Sequence, residues 1–468
     1  MGNVRKLIFV GLVLLIGAAS LFVVNLKNEP EKDLIIFTQI PGYLDTQDWY
    51  FGQNSRIVSI DPENTNKSFR ILTDDFHSAR SPQVSYDGTK FIFAGKLKEN
   101  DTWQIWEMNL DVLKARQVTR QTSDCTDPAY LPDGRIVFSR VYNDSIAGRG
   151  YAIYTCHSDG SAVNRITFQP HADLVPSVIQ DGRILIVSQQ LFPEQTNPKI
   201  IALRPDGTKA ELYYDSKGGR ILNSRGYETE DGRFIFIENH QDGTGFGNLV
   251  VLSQNRPLHS HQVIAKGGAE RGFYSPYPIT DKKLIVSFSG NSSTPYELYN
   301  FNLISNQLGT KLYADTEYHS VEAVMVKSRQ IPKNLPNRVD ESNTKNKGRL
   351  ICMNTGLTDR YPDVISPPKP YGVQVLGISD LIGEVAVEKD GSFYIEVDPD
   401  TPFRFQTVDE NGRLLNGPSS WIWVRPNESR GCIGCHEDRE LAPENRVPDA
   451  IRKGVVSLMS VKSPNTKD

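Results

Sequence analysis

At residues 86–93 the sequence reads Tyr86-Asp87-Gly88-Thr89-Lys90-Phe91-Ile92-Phe93, an Asp-Gly turn followed by an apolar and aromatic run. Similar stretches begin at Pro132, Gln180, Glu230 and Thr280, so the pattern recurs about every 48 residues. Glycine supplies the positive φ that a tight hairpin turn requires, and the run after it is typical of a strand. Each repeat therefore predicts a small antiparallel sheet.

A proline precedes four of the five turns, at Pro82, Pro128, Pro176 and Pro276, and Gly226 takes its place in the fourth repeat. Because proline lacks a backbone N–H, we expect it at the start of the innermost strand or in the loop before it. Four strands in about 48 residues match the size of a propeller blade. The repeats therefore predict an all-β fold built from blades.

The ends of the repeat region predict how the ring closes. The runs Leu34–Phe37 and Arg56–Ile60 lack an innermost strand of their own, and Val321–Val326 can supply it. Such pairing removes an exposed sheet edge. Residues 33–330 are therefore predicted to form a six-bladed β-propeller, with seven blades as the alternative. These blades resemble the TolB-like, PD40-type propeller family.

Composition narrows the function classes. The chain has 468 residues and a net charge of −4, with both signs interspersed, so no basic field for nucleic acid is expected. Five cysteines are an odd number, which argues against a full disulfide framework. Cys125 and Cys156 could form one bridge or remain two buried thiols, and Cys352 would be a lone buried thiol.

Residues 1–32 contain an apolar run from Leu7 to Leu26, preceded by Arg5 and Lys6. As a helix this run would span about 30 Å, the thickness of a bilayer core. The basic flank predicts that the rest of the chain is exported, to the periplasm or its equivalent. The run is either an uncleaved signal anchor in the inner membrane or a signal peptide that is removed.

The last third of the chain reads as a different module. Residues 331–348 are predicted to be a linker, residues 349–450 a small β-sandwich-like module, and residues 451–468 a tail. Alternating runs at Glu384–Glu388 and Ser392–Val397 flank an Asp-Gly turn and predict a hairpin. Further strands are expected at Phe403–Val408 and Trp421–Val424, just before a cysteine motif.

That motif is Cys432-Ile433-Gly434-Cys435-His436, the pattern of covalent c-type haem attachment. Two thiols three positions apart can add to the two vinyl groups of one porphyrin edge, and His436 then lies beneath the ring. We therefore predict haem c, with Cys432 and Cys435 as thioether anchors and His436 as an axial ligand of the iron. Attachment takes place outside the cytoplasm, in agreement with export.

Other interpretations of the motif stay open. The two cysteines could hold zinc with His436, although structural zinc normally uses a second Cys/His pair. They could also form a redox disulfide or be inert thiols. Trp421 and Trp423 could pack against the haem edge or belong to the sandwich core. The candidates for a sixth ligand are the propeller histidines and, more weakly, two methionines: His77, His157, His171, His240, His259, His261, His319, Met353 and Met459.

Four stretches of the last third resemble the middle domain of the hydrazine synthase alpha subunit family: Glu388–Phe393, Pro402–Gln406, Ser420–Trp423 and Arg430–Glu440. In that family the domain also follows a six-bladed propeller and binds a c-type haem. The resemblance implies a further haem domain and partner subunits in the enzyme, whereas this chain ends at Asp468, so a different electron supply is expected. In the family a tyrosine four residues beyond the motif histidine holds the iron and the histidine serves a zinc.

At the tyrosine position this chain has Glu440, which favours His436 as the iron ligand and argues against hydrazine chemistry. Three functions are therefore expected to compete. The first is a membrane-tethered monohaem protein that transfers electrons to a redox partner protein. The second is an oxidoreductase that acts on small nitrogen compounds. The third is a propeller that binds a protein partner on one face and whose haem is structural.

Overall fold

The computed structural model describes residues 34–42, 53–64, 68–216, 220–222, 224–240, 247–268, 270, 272–339, 347–357, 368–434 and 444–458. The described residues are almost entirely β-structure, which confirms the predicted fold class. Among them no helix is long and apolar enough to cross a membrane. The predicted anchor, residues 1–32, lies outside the described residues.

Strands β1 to β25 make up the repeat region. In chain order they are β1 Leu34–Pro41, β2 Arg56–Ile60, β3 Arg70–Ile71, β4 Ser78–Val84, β5 Lys90–Lys96, β6 Gln104–Asn109, β7 Lys114–Gln117, β8 Cys125–Tyr130, β9 Ile136–Asp144, β10 Gly148–Cys156, β11 Asn164–Arg165, β12 His171–Val178 and β13 Ile184–Gln190. They continue as β14 Lys199–Leu203, β15 Glu211–Asp215, β16 Arg220–Ile221, β17 Tyr227–Glu228, β18 Arg233–His240, β19 Asn248–Ser253, β20 Gln262–Ala265, β21 Phe273–Thr280, β22 Lys283–Phe288, β23 Glu297–Asn302, β24 Gln307–Tyr313 and β25 Tyr318–Val326. A short 3-10 helix covers Pro257–His259.

These strands group into six antiparallel units. Unit 1 has the order β25-β1-β2-β3, unit 2 is β4 to β7, and unit 6 is β21 to β24. Unit 3 (β8 to β11) and unit 4 (β12 to β15) are joined into one sheet by a parallel contact between β10 and β12. Unit 5 contains β16 to β20. The pairing of β25 with β1 is the one predicted from the chain ends.

The innermost strands touch one another in cyclic order. Strand β4 contacts β25 and β8, β8 contacts β12, and β21 contacts β17 and β25. Between units 4 and 5, the Ser177 hydroxyl donates to the Gly226 carbonyl at 2.7 Å. The six units therefore form a closed ring, which we interpret as a six-bladed propeller.

The prolines lie inside the innermost strands, not at their starts as predicted. Pro82 follows Ser81, whose φ is 57°, at the point where the β4–β5 register shifts. The same left-handed residue before proline occurs at Asp127, Val175 and Ser275. A bulge leaves one residue unpaired, so a proline there removes no ladder hydrogen bond.

Residues after β25 run past turns that connect an innermost strand to the second strand of the same unit. The Lys333 N–H donates to the Gln180 carbonyl at 2.9 Å, next to the Asp-Gly turn of unit 4. A side chain on Gly182 would lie 2.1 Å from the Lys333 carbonyl oxygen, so this turn requires glycine for close approach as well as for its φ of +89°.

The C-terminal module consists of two four-stranded sheets. Its elements are β26 Gly348–Cys352, β27 Gly372–Leu376, β28 Leu381–Ala386, β29 Phe393–Val397, β30 Arg404–Val408, β31 Leu414–Asn416, β32 Ser429–Cys432, α1 Asp449–Lys453 and β33 Val456–Ser457. One sheet has the order β32-β26-β29-β33 and the other β28-β27-β30-β31. Their facing side chains, including Leu350, Val373 and Phe405, form one core.

Two strand predictions for this module are wrong. The runs on either side of Asp390-Gly391 do not form a hairpin, because β28 pairs with β27 and β29 pairs with β26. The tight turn connects two sheets, so that Val385 and Phe393 face the same core from opposite sides. The predicted strand Trp421–Val424 is reduced to a single bridge between Ile422 and Phe403.

Candidate functional site

The first cysteine of the motif is held at the end of a sheet. Strand β32 runs parallel to β26 and places Cys432 beside Cys352. Beyond the strand, Met353 N–H donates to the Cys432 carbonyl at 2.9 Å and Asn354 N–H to the Ile433 carbonyl at 3.0 Å. The position of Cys432 is therefore fixed by backbone pairing. The other predicted site residues, Cys435 and His436, and also Glu440, lie outside the described residues.

The chain just after Cys432 passes close to a loop of the same module. A side chain on Gly434 would lie 2.4 Å from the Leu357 carbonyl oxygen. The glycine inside the motif is therefore required by packing, independently of any ligand.

Cys432 opens onto a cavity of about 330 Å³ between unit 4 of the ring and the C-terminal module. Its ring side is formed mainly by β12 to β15, and its module side by β30 and the segment 419–423. Five side chains that matter for its chemistry line it together with Cys432: His171, Ser188, Lys199, Trp421 and Trp423.

Docking of the module onto units 3 and 4 creates this cavity. Arg425 donates to the Arg165 carbonyl at 2.8 Å, and the Lys209 N–H donates to Glu428 at 2.8 Å. The buried Arg430 guanidinium bonds the Trp423 carbonyl at 3.2 Å and also the Ala210 carbonyl. These contacts bring the segment that leads to Cys432 against the propeller.

The two tryptophans belong to this interface, not to the sandwich core. Trp423 is 2% exposed and packs into the hydrophobic cluster of units 3 and 4. Trp421 donates its indole N–H to the Phe192 carbonyl at 2.7 Å. Ile422, between them, packs into the module core. Strand alternation alone could not reveal that the tryptophan face has a partner outside the module.

His171 lies at the start of β12 and is buried in the cavity wall. Its Nδ1 is 2.9 Å from the Ser188 hydroxyl, which in turn donates to Asp173 at 2.5 Å. Register in the β12–β13 pair explains this chain, because Asp173 stands opposite Ser188. His171 and Asp173 are two positions apart and so share one face of the strand.

The electrostatics of this group keep His171 neutral. Burial lowers the pKa of His171 to about 3, and the charge of Lys199 adds to the shift. Burial raises the pKa of Asp173 to about 6, although the hydrogen bond from Ser188 opposes the increase. Lys199 itself pairs with Asp215, at 3.5 Å.

Three buried polar atoms of the cavity wall have no hydrogen-bond partner among the described residues: Nε2 of His171, the indole N–H of Trp423 and the hydroxyl oxygen of Thr407. Such atoms are costly to bury and are normally paired. A haem would fit the first two, because its iron binds a neutral imidazole nitrogen and its propionates accept N–H donors. Cys432, the first cysteine of the predicted attachment motif, lines the same cavity.

The other candidate histidines with described side chains are engaged elsewhere. His77 and His157 contact Ser78 and Ser161, at 3.0 and 3.1 Å. His261 is 3.1 Å from Glu238, and His319 accepts from the Tyr296 N–H at 3.0 Å. Only His171 of this set lines the cavity. No cluster of three metal-binding side chains occurs within the described part of the chain.

Ser188 and Asp173 were missed in the sequence. The signal that could have found Asp173 is a charged residue in an otherwise apolar innermost strand, two positions after a histidine. Ser188 carries no such signal, because its role depends on strand register. Cys125 and Cys156 are two unbridged, buried thiols, and burial raises the pKa of each to about 12.

Comparison with known proteins agrees with the resemblance seen in the sequence. Residues 336–437 match the model of the family described as hydrazine synthase alpha subunit middle domain. The matched residues cover most of the C-terminal module. The matched residues include Cys432, Cys435 and His436, so the recognition drawn from the motifs is confirmed.

Similarity to a hydrazine synthase extends beyond the middle domain. Hydrazine synthase subunit alpha of Kuenenia stuttgartiensis is 24% identical over 535 residues, which cover 86% of this chain and 65% of that protein. The solved structure of Kuenenia stuttgartiensis hydrazine synthase has a TM-score of 0.75 at 22% identity, covering 90% of this chain and 71% of the other. That likeness establishes a shared fold for propeller and module together. TolB from Acinetobacter baumannii is 12% identical, with a TM-score of 0.48 over 64% of this chain and 67% of its own.

Proposed function

We propose that this protein is a c-type monohaem redox protein whose haem lies in the cavity between the propeller and the module. Cys432 and Cys435 would be its thioether anchors and His436 an axial ligand. One observation carries the proposal: the first attachment cysteine shares a cavity with a buried, neutral histidine whose Nε2 has no other described partner. When bound, the group would supply a one-electron couple and an iron that can take an axial ligand.

The residues around the cavity have definite tasks in this proposal. The indole rings of Trp421 and Trp423 exclude water and keep the local dielectric low. Backbone pairing of β32 with β26 fixes the attachment cysteine. The ion pair of Lys199 with Asp215 places charge on the same wall, where it can influence the reduction potential.

The redox role could be either turnover of small nitrogen compounds or electron transfer, and a different observation favours each. Similarity to the hydrazine synthase alpha subunit favours turnover of small nitrogen compounds. The unpartnered Nε2 of His171 favours electron transfer, because a second protein ligand would fill the iron's last site. The chain spans 65% of the length of the curated relative it matches, so the activity of that whole protein is itself part of the proposal.

Location and partners follow from the same proposal. Cytochrome c maturation requires export, and residues 1–32 would provide it as a signal anchor in the inner membrane or as a cleaved signal peptide. A protein redox partner would exchange electrons with the haem. The relative's name describes it as a subunit, which supports a role for protein partners here, with an open face of the propeller as a further docking surface.

The experiment that tests the proposal is expression of the full chain together with a cytochrome c maturation system. We expect the purified protein to be heavier by one haem that survives denaturation, and to show a c-type absorbance spectrum that shifts on reduction. Cys435→Ala should abolish double attachment, whereas Cys125→Ala, which alters a buried propeller thiol, should leave haem content unchanged. A colourless wild-type protein with the mass of its amino acids would contradict the proposal.

A further inference from the structure

We infer that Nε2 of His171 is the second axial ligand of the haem iron. The inference rests on the proposed function and deepens it, because it assigns the ligand on the propeller side of the cavity. Two observations support it: the hydrogen-bond chain that orients His171, and the nature of the other side chains in the cavity.

The hydrogen-bond chain fixes the tautomer of His171. A carboxylate only accepts hydrogen bonds, so the Ser188 hydroxyl uses its single proton toward Asp173, at 2.5 Å. The hydroxyl oxygen must therefore accept from His171, whose Nδ1 is 2.9 Å away. Nδ1 consequently carries the proton, and Nε2 presents an unprotonated lone pair.

This arrangement is the one that metal-binding histidines use. Such residues donate the N–H of the second ring nitrogen to a carboxylate, a carbonyl or an intermediate polar group, which orients the ring and raises its basicity. Here Asp173 supplies the carboxylate, and the Ser188 hydroxyl lies between that carboxylate and the imidazole. Both Asp173 and Ser188 are buried, so the orientation of the imidazole is fixed before any ligand arrives.

The other polar side chains of the cavity are poorer candidates for an iron ligand. Lys199 is paired with Asp215, at 3.5 Å. Gln169 and Gln190 offer amide groups, which bind haem iron weakly compared with imidazole. Cys432 is used for the thioether bond. Among the described lining residues, His171 alone has an imidazole nitrogen whose lone pair has no described partner.

A histidine on each side of the iron favours electron transfer over turnover of small nitrogen compounds. Such an iron is low-spin and has no vacant site, so an external ligand must displace a protein ligand before it can bind. His171 would thus decide between the two finer forms of the proposed function.

The test uses the full-length holoprotein, with covalent attachment first verified by mass. We expect ferric wild-type protein to be low-spin, with the electron paramagnetic resonance and near-infrared signature of two nitrogen ligands. We also expect the ferrous protein to resist carbon monoxide. His171→Ala should convert the iron to high-spin and admit carbon monoxide, and added imidazole should restore the low-spin spectrum. His157→Ala, at an exposed histidine bonded to Ser161, is the matched control and should change nothing.

Ser188→Ala separates ligation from a structural role. It keeps His171 but removes the acceptor of its Nδ1 proton, so the imidazole donates less charge to the iron. We expect the haem to stay low-spin while its reduction potential rises, a readout that a purely structural serine would not move. His171→Met, which retains a ligand atom, should remain six-coordinate with a higher potential.

The outcomes distinguish this inference from the proposed function. Absence of covalent haem in the wild type would overturn the proposed function itself. A covalently bound haem that is high-spin in the wild type, or whose spectrum is unaltered in His171→Ala, would overturn only the assignment of His171. Because a high-spin wild-type spectrum alone overturns the assignment of His171, the test remains valid even where a variant fails to fold.

Discussion

Two polar cavities among the described residues differ in size and in how their charged or titratable groups are held. At the centre of the ring, a cavity of about 30 Å³ is lined by the bulged residues of the innermost strands. There the Glu322 carboxylate accepts from the Thr38 hydroxyl at 2.7 Å, the Ser81 N–H at 2.7 Å and the Ser81 hydroxyl at 3.0 Å. The cavity at the module is about 330 Å³ and leaves Nε2 of His171 without a described partner.

Buried polar atoms without a described partner occur in both cavities, Ser224 Oγ at the ring centre included, so it is the difference in size that separates a structural polar cluster from a binding site. The ring centre has room for about one water molecule, and its carboxylate holds unit 1 to unit 2 by hydrogen bonds within the chain. The module cavity is large enough for an organic group, and its histidine is oriented by the protein but not satisfied by it. Charged residues alone would have drawn attention to the wrong cavity.

We expect the largest loss of folding stability from a substitution in the wall of the module cavity. Trp423→Ala removes a fully buried ring that joins the module to units 3 and 4, and should destabilise the protein by about 3–5 kcal/mol. Urea unfolding followed by circular dichroism measures this. Ile304→Ala, at a side chain that is 73% exposed, should change stability by about 0.5 kcal/mol or less. Equal midpoints for the two variants would contradict the interface role of Trp423.

Much of this architecture follows from local sequence. The Asp-Gly turns, the strands after them and the closing strand Val321–Val326 all depend on neighbouring residues or on a strong apolar pattern. The attachment motif is equally local. These features could therefore be predicted without knowledge of tertiary contacts.

Long-range features could not be predicted in this way. Strand β26 is short and follows a polar stretch, so its pairing with the attachment segment was invisible in sequence. The hairpin prediction at Asp390-Gly391 failed because a turn does not determine which sheet receives each strand. The link from His171 through Ser188 to Asp173 needs strand register, and the tryptophan face needs the docked propeller.

Smaller losses of folding stability are expected when one polar group of each cavity is replaced in haem-free protein. Glu322→Gln replaces an oxygen acceptor by an NH₂ group facing donors, and should cost about 1–3 kcal/mol. His171→Leu removes a hydrogen bond but also an unpartnered buried atom, and should cost about 1 kcal/mol or less. Urea midpoints of the two variants check the order. A larger loss for His171→Leu would mean that the histidine is primarily structural.

The smallest effect concerns the chain that returns to the module after the attachment motif. The Asp390 carboxylate accepts from the Ser392 hydroxyl at 2.6 Å and from the Asp449 N–H at 2.8 Å, and it also pairs with Arg446. Partial burial alone would raise the pKa of Asp390, but these hydrogen bonds outweigh it and lower the pKa to about 2. Asp390 thereby anchors helix α1, as β26 anchors the segment before the motif.

Because the pKa of Asp390 in the folded protein lies below its ordinary value of 3.8, its contribution is complete above pH 3.8 and is lost as the pH falls toward 2. Amide protection factors of Asp449–Lys453 should therefore fall across that window, by an amount corresponding to about 1 kcal/mol. Asp390→Asn should lower them already at pH 6 and flatten the pH dependence. Asp409→Asn, in the comparable turn before β31, is the control and should leave α1 unaffected. If α1 stayed equally protected in Asp390→Asn, the returning chain would be held by its apolar contacts, and only β26 would position the attachment segment.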